Sequence, residues 1–317
     1  MMVSRQDSST LLKLLWDDRT NFLKAFTFTS SPGTCGVFFL LWQWIYLEKD
    51  LGEHSDRNFL IISLNELIWR YILVHTTEQN VPMVQINNSL SPISSVWDKG
   101  RKTISLEDSQ TIFKACSVRL APSDPSVHTP LGPSGVPLLF RLVVQALHPG
   151  AVDLLPMVFR QSVDYMWGTV RVRDPEAPDE MLVDCFRILF DHYVMVSDYL
   201  HRRGISAQPV LEQLIIVMIE SDLFDLVGTV LPLCDRAVKS FLRNFRTIVG
   251  YGQQRYIPRE YLGEHCRYYI RDWFKFKCQL VLLSCGMSIS GVDDLAKLKA
   301  YNPHYRWCDG VWEKPCT

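Results

Sequence analysis

The chain has 317 residues, of which 47% are hydrophobic and 21% are charged. This composition excludes disorder over most of the length, and a chain of this size can bury one large core or two moderate ones. The net charge is only -1, but it is unevenly distributed. From Cys234 onward there are 14 Lys and Arg against 8 Asp and Glu, whereas the preceding residues carry 19 against 26. The last third of the chain is therefore basic, and the rest is acidic.

Non-polar residues recur at alternating intervals of three and four positions in three segments of the chain. Side chains with this spacing share one face of an α-helix, and burial of that face stabilises the helix. No segment shows a comparably strong alternation with a period of two, so the pattern predicts an all-α fold. The three predicted buried faces are Leu60, Leu64, Leu67, Tyr71 and Val74; Leu182, Phe186, Leu189, Tyr193, Val196 and Leu200; and Leu262, Cys266, Tyr269, Trp273, Phe276, Leu280 and Leu283.

The first 120 residues form a predicted N-terminal helical region. Residues 76–101 are polar and contain two prolines, which predicts a long loop. Ser105 is followed three residues later by Asp108, an arrangement typical of a helix N-terminus. We expect helices from Ser9 or Thr10 to about Phe26, over Val37–Leu47, from Asp56 to about His75, and from Ser105 to about Arg119.

Two features bear on where the protein resides. Val37–Leu47 is strongly apolar, but it has about half of the ~20 residues needed to span a bilayer. We interpret it as a core helix, with an interfacial anchor as the alternative. Met1–Thr10 lacks the layout of a signal peptide, and the nine cysteines are an odd number without paired spacing. We therefore expect an intracellular protein, cytoplasmic or nuclear, without a transmembrane segment.

Residues 121–137 contain five prolines, a composition that predicts a linker or surface excursion. This segment would separate residues 1–120 from a C-terminal helical region, 138–317. Within the latter, Leu211–Leu233 consists of two apolar segments separated by Ser221-Asp222. Over residues 140–250, this pattern resembles the stacked helical hairpins of armadillo and HEAT repeat proteins. A globular helical bundle is the alternative. We expect helices near 138–147, 151–168, 179–203, 209–220, 222–231, 235–249, 258–285 and 292–300.

An all-α chain with paired carboxylates also invites comparison with class I isoprenoid synthases, in which aspartates on a helix hold magnesium ions against a diphosphate. Asp17, Asp18 and Asn21 have the appearance of such a motif, and Glu220, Asp222 and Asp225 could form a second cluster. However, the first motif lies close to the N-terminus, and the second lacks the Asn/Ser/Glu pattern. No nucleophile elbow, nucleotide-binding loop or zinc-ligand spacing is present. We therefore assign no catalytic residue, metal ligand or cofactor.

The basic C-terminal third contains the most informative pattern for function. Seven cations recur at intervals of three or four residues along two predicted helices, so each set occupies one helix face. Such ridges can contact an acidic protein, while the neutral net charge argues against nucleic acid. We therefore expect a non-enzymatic helical scaffold that binds a protein partner, with an isoprenyl-diphosphate enzyme as the alternative. The predicted contact residues are Arg236, Lys239, Arg243, Arg246, Arg267, Arg271 and Lys275.

Overall fold

The structure is a computed structural model of the chain. It describes residues 5–28, 33–47, 54–76, 79, 82–83, 85–86, 104–122, 135–172, 179–203 and 208–230. Within these ranges the chain is helical and contains no β-strand, so the all-α prediction is confirmed for the described residues. The third predicted buried face, with Trp273 at its centre, lies outside these ranges.

Ten α-helices and one 3-10 helix have both ends among the described residues. A 3-10 helix, Pro149–Leu154, precedes α7. The α-helices are α1 (Arg5–Asp17), α2 (Arg19–Phe28), α3 (Gly33–Leu47), α4 (His54–Ile72), α5 (Leu106–Leu120), α6 (Gly135–Gln145), α7 (Leu155–Arg171), α8 (Asp179–Arg202), α9 (Gln208–Glu220) and α10 (Leu223–Val230).

The predicted helices that fall on described residues agree with the structure to within a few residues, with two exceptions; those predicted near 235–249, 258–285 and 292–300 lie outside the described residues. The single helix expected up to about Phe26 is two helices, because the chain turns at Asp18. The Asp18 carboxylate accepts a hydrogen bond from Asn21 Nδ2 at 2.6 Å, in the first turn of the second helix. In the segment predicted as a long loop, residues 82–83 and 85–86 are helical, and Met83 and Ile86 are buried.

Both of the predicted apolar faces that fall on described residues are buried. All five residues of the face on α4 and the turn that follows it are less than a tenth exposed, as are all six on α8. Tyr71 lies at the centre of an aromatic cluster, with ring centroids 5.4 Å from Phe26, 5.3 Å from Phe38 and 6.2 Å from Phe22. Helices α2, α3 and α4 therefore share one core.

The N-terminus of α5 has the predicted cap. Ser105 has an extended backbone, and its side-chain oxygen accepts a hydrogen bond from the backbone nitrogen of Asp108 at 3.2 Å. Inside the helix, Ser109 Oγ donates to the carbonyl of Ala146 at 2.6 Å, which joins α5 to the residue after α6. The position of Asp108 is therefore set both by the cap and by the packing of its helix.

Asp108 belongs to a buried ionic network that joins three helices. Arg70 on α4 is completely buried; it donates to Asp108 Oδ2 at 2.7 Å and to Glu66 Oε2 at 3.0 Å. Arg19 at the start of α2 places its Nε 3.7 Å from the same Asp108 oxygen. The two carboxylates match the two guanidinium groups, so the network carries no formal net charge. A carboxylate in the first turn of α5 is further favoured by the helix dipole.

The chain divides into two compact units, Met1–Gln161 and Ser162–Thr317. The predicted linker, 121–137, lies within the first unit; most of it is outside the described residues, but its last three residues belong to α6. The proposed division at this linker stays a prediction. Among the described residues, no helix is both long and apolar enough to cross a membrane. In α3, Phe38, Leu41 and Ile45 are buried in the core, whereas Phe39 and Leu40 are 47% and 52% exposed.

Replacing Asp108 tests the ionic network. Asp108→Ala leaves Arg70 buried with only Glu66 as a partner, and we expect a loss of about 3–5 kcal/mol in the free energy of unfolding, typical of a broken buried pair. Chemical denaturation followed by circular dichroism measures this loss. Glu107→Ala is the matched control, because Glu107 is the adjacent residue but is exposed and pairs with Lys24 at the surface. Equal stability of the two variants would contradict a structural role for the network.

Candidate functional site

Helix α8 exposes a line of apolar side chains on the side opposite its buried face. Met181, Ile188 and Met195 are 49%, 38% and 49% exposed, and they follow one another at intervals of seven residues. Residues seven apart lie on the same side of an α-helix, two turns apart. An aspartate follows each of them after three residues. We call this set the α8 stripe; it consists of Met181, Asp184, Ile188, Asp191, Met195 and Asp198.

The opposite side of α8 fixes the orientation of the stripe. The buried face, which includes Phe186, Leu189 and Tyr193, lies about 200° around the helix from the stripe at ~100° per residue. Tyr193 OH is hydrogen-bonded to Ser162 Oγ at 2.5 Å, and Ser197 Oγ donates to the Tyr193 carbonyl at 2.9 Å. Because this face is packed and hydrogen-bonded, α8 cannot rotate to bury the stripe without breaking its core contacts.

The stripe is acidic, although part of its charge is compensated by arginines on the same helix. Arg187 lies 3.2 Å from Asp184 and 3.7 Å from Asp191, and Arg202 lies 2.5 Å from Asp198. The three aspartates of the stripe and the two arginines that pair with them leave a formal charge of -1. Exposed ion pairs contribute at most about 1 kcal/mol each. The cations of a partner could therefore replace Arg187 and Arg202 at small cost.

The described cysteines are unsuited to nucleophilic catalysis. Cys35, Cys116 and Cys185 are buried free thiols. Burial raises the pKa of Cys116 to about 12, and burial together with the charge of Asp184 raises the pKa of Cys185 to about 11. Burial also raises the pKa of Cys35. Because the thiolate is the reactive form, these residues are packed as small apolar side chains.

The carboxylates that suggested a diphosphate enzyme are exposed. Asp17 and Asp18 lie at the surface where α1 meets α2, and Asn21 donates to Asp18. Glu220, Asp222 and Asp225 are exposed around the turn between α9 and α10, where Asp222 adopts a positive φ of 53°. Within the described ranges, no group of three or more His, Cys, Asp or Glu side chains is placed to hold a metal ion.

The seven cations predicted to contact a partner, from Arg236 to Lys275, all lie outside the described residues, and their role stays a prediction. The sequence interpretation overlooked the α8 stripe, because it followed the stronger period of the buried face on the same helix. A second set of apolar residues at intervals of seven, each followed by aspartate after three positions, was a visible signal in the sequence. What the sequence does not show is how exposed the three apolar residues on the other side of the helix are.

Comparison of the chain with protein-family models, with curated proteins and with solved structures found no match.

Alkylation kinetics test the state of the thiols. At pH 8 we expect iodoacetamide to modify Cys116 and Cys185 much more slowly in the folded chain than in urea, because both are buried and protonated. Peptide mapping by mass spectrometry follows each residue separately. The raised pKa of Cys116 also stabilises the folded chain fully below its ordinary pKa of 9.0 and progressively less as the pH rises towards 12. Equal rates in the folded and unfolded chain would contradict the burial of these thiols.

Proposed function

We propose that this protein is a non-enzymatic helical scaffold that binds a protein partner, and that the α8 stripe is a contact surface. The observation that carries the proposal is the exposure of three large apolar side chains, Met181, Ile188 and Met195, in register along one helix. Single exposed apolar residues are common on protein surfaces and need no explanation. A regular line of them on a rigid, well-packed helix is what a helix-binding surface requires.

The chemistry of the stripe also suits a binding role. Methionine has an unbranched, polarisable side chain that adapts to the shape of a partner, and it is frequent at protein-binding surfaces. The aspartates between the apolar residues keep the free surface hydrated and give a bound partner its orientation. This combination of apolar contacts and charge is typical of binding faces on helices.

For the architecture, we propose armadillo- or HEAT-like stacked hairpins in the second unit. Consecutive helices contact each other there, α8 with α9 and α9 with α10, as successive helices of such repeats do. The step between α9 and α10 is only two residues long, and Trp167 Nε1 donates to the Ser221 carbonyl at this step, at 3.1 Å. The basic ridges that follow, from Arg236 to Lys275, would extend the surface of the scaffold with the opposite charge.

A triple variant tests the function. Met181→Gln, Ile188→Gln and Met195→Gln together remove the apolar surface of the stripe while keeping helix-compatible side chains of similar length. We expect affinity capture from source cells to recover a partner with the wild-type chain and to lose it with the triple variant. Because the three positions are exposed, the melting temperature should stay within a few degrees.

The matched control for capture is Val118→Gln with Met157→Gln, which replaces exposed apolar residues on α5 and α7. This control should retain the partner. Recovery of the same proteins by the wild-type chain and the triple variant would contradict the proposed contact surface, as would the absence of any partner of the wild-type chain.

A further inference from the structure

We infer that the occupant of the α8 stripe is a basic amphipathic helix of another protein, with apolar and cationic residues alternating at intervals of three and four. The inference rests on the proposed binding function and names the chemistry of the partner. The stripe alternates apolar and acidic residues with the spacing of a helix-pairing seam, in which positions a and d of a seven-residue repeat face the second helix. A complementary helix would set apolar side chains against Met181, Ile188 and Met195.

Charge complementarity determines the sign of the partner's charge. Asp184, Asp191 and Asp198 are spaced about 10.5 Å apart along the helix, at 1.5 Å per residue. Lysine or arginine residues at seven-residue intervals on the partner repeat at the same distance, so three cations can be matched at once. Asp184 and Asp191 are well exposed, at 65% and 43% of their side chains, and are therefore accessible to such cations.

A second copy of the chain fits the stripe poorly. Two α8 helices packed through this face would bring six aspartates together against four arginines, which leaves a formal charge of -2 at the seam. Like charges at a helix seam disfavour association, and this is how natural helix pairs exclude self-pairing. A basic helix satisfies both the apolar and the acidic positions, whereas a second copy satisfies only the apolar ones.

The probe is a labelled synthetic peptide of three heptads with leucine at every a position, lysine at every d position, and alanine and glutamine elsewhere. Two matched peptides accompany it: one with the same composition but with leucine and lysine scattered around the helix, and one with glutamate replacing lysine. Fluorescence anisotropy measures the binding of each peptide to the full chain at low and moderate salt. We expect the first peptide to bind most tightly, with an affinity that falls as salt increases.

Charge reversal on the stripe distinguishes a specific contact from general attraction. Asp184→Lys with Asp191→Lys should weaken binding of the lysine peptide about tenfold and should allow the glutamate peptide to bind, because two pairs of charges change sign. Asp153→Lys with Asp164→Lys, which reverses two exposed aspartates elsewhere, should change neither affinity more than about twofold. The triple glutamine variant should no longer bind the lysine peptide, and it should not bind the glutamate peptide either. Circular dichroism confirms that each variant is folded.

Several results would overturn the inference. One is equal affinity of the lysine peptide for the wild-type chain and for the Asp184→Lys/Asp191→Lys variant. Another is equal affinity of the wild-type chain for the lysine peptide and for the scattered peptide. If the peptide binds only after Arg236→Glu and Arg243→Glu, the basic segment of the chain itself occupies the stripe. If the wild-type chain self-associates and the triple glutamine variant does not, the stripe binds a second copy of the chain.

The peptide experiment can fail without the proposed function failing. If the peptide does not bind but capture of a partner still depends on Met181, Ile188 and Met195, the scaffold function stands and the basic helix is the wrong partner. If both fail, the α8 stripe is an ordinary exposed face, and the function assigned to it is wrong as well.

Discussion

Burial of the Arg70 guanidinium is the constraint on which the first unit depends. A buried charge without a partner would cost several kcal/mol, so Glu66 and Asp108 must both be present and correctly placed. Their placement requires α4 and α5 to be adjacent, and Arg19 brings the start of α2 to the same point. A network of this kind selects one arrangement of these helices, since any shift of α5 would leave Arg70 with one carboxylate.

Local features of this fold were predictable, whereas long-range ones were not. The periods of α4 and α8 predicted their buried faces, and the Ser105 cap predicted the start of α5, because both depend on residues a few positions apart. The pairing of Arg70 with Asp108 joins residues 38 positions apart, and no local pattern indicates it. The break at Asp18 was missed because no glycine or proline marks it in the sequence.

The same distinction applies to the candidate site. The stronger apolar period of α8 predicted the face that is buried, but the weaker apolar period through Met181, Ile188 and Met195 was not recognised as an exposed face. Packing distinguishes the two faces: Tyr193 and Phe186 are buried, and the line through Ile188 remains at the surface with its aspartates.

The most direct test of a partner-binding α8 stripe is the nuclear magnetic resonance spectrum of the full chain labelled with ¹³C at its methionine methyl groups. On addition of the lysine peptide, the signals of Met181 and Met195 should shift together with a single affinity. The signals of the buried Met166 and Met218, and of the exposed Met157 on α7, should stay in place. Uniform small shifts of all methionines, or shifts at Met157 without shifts at Met181 and Met195, would contradict the account.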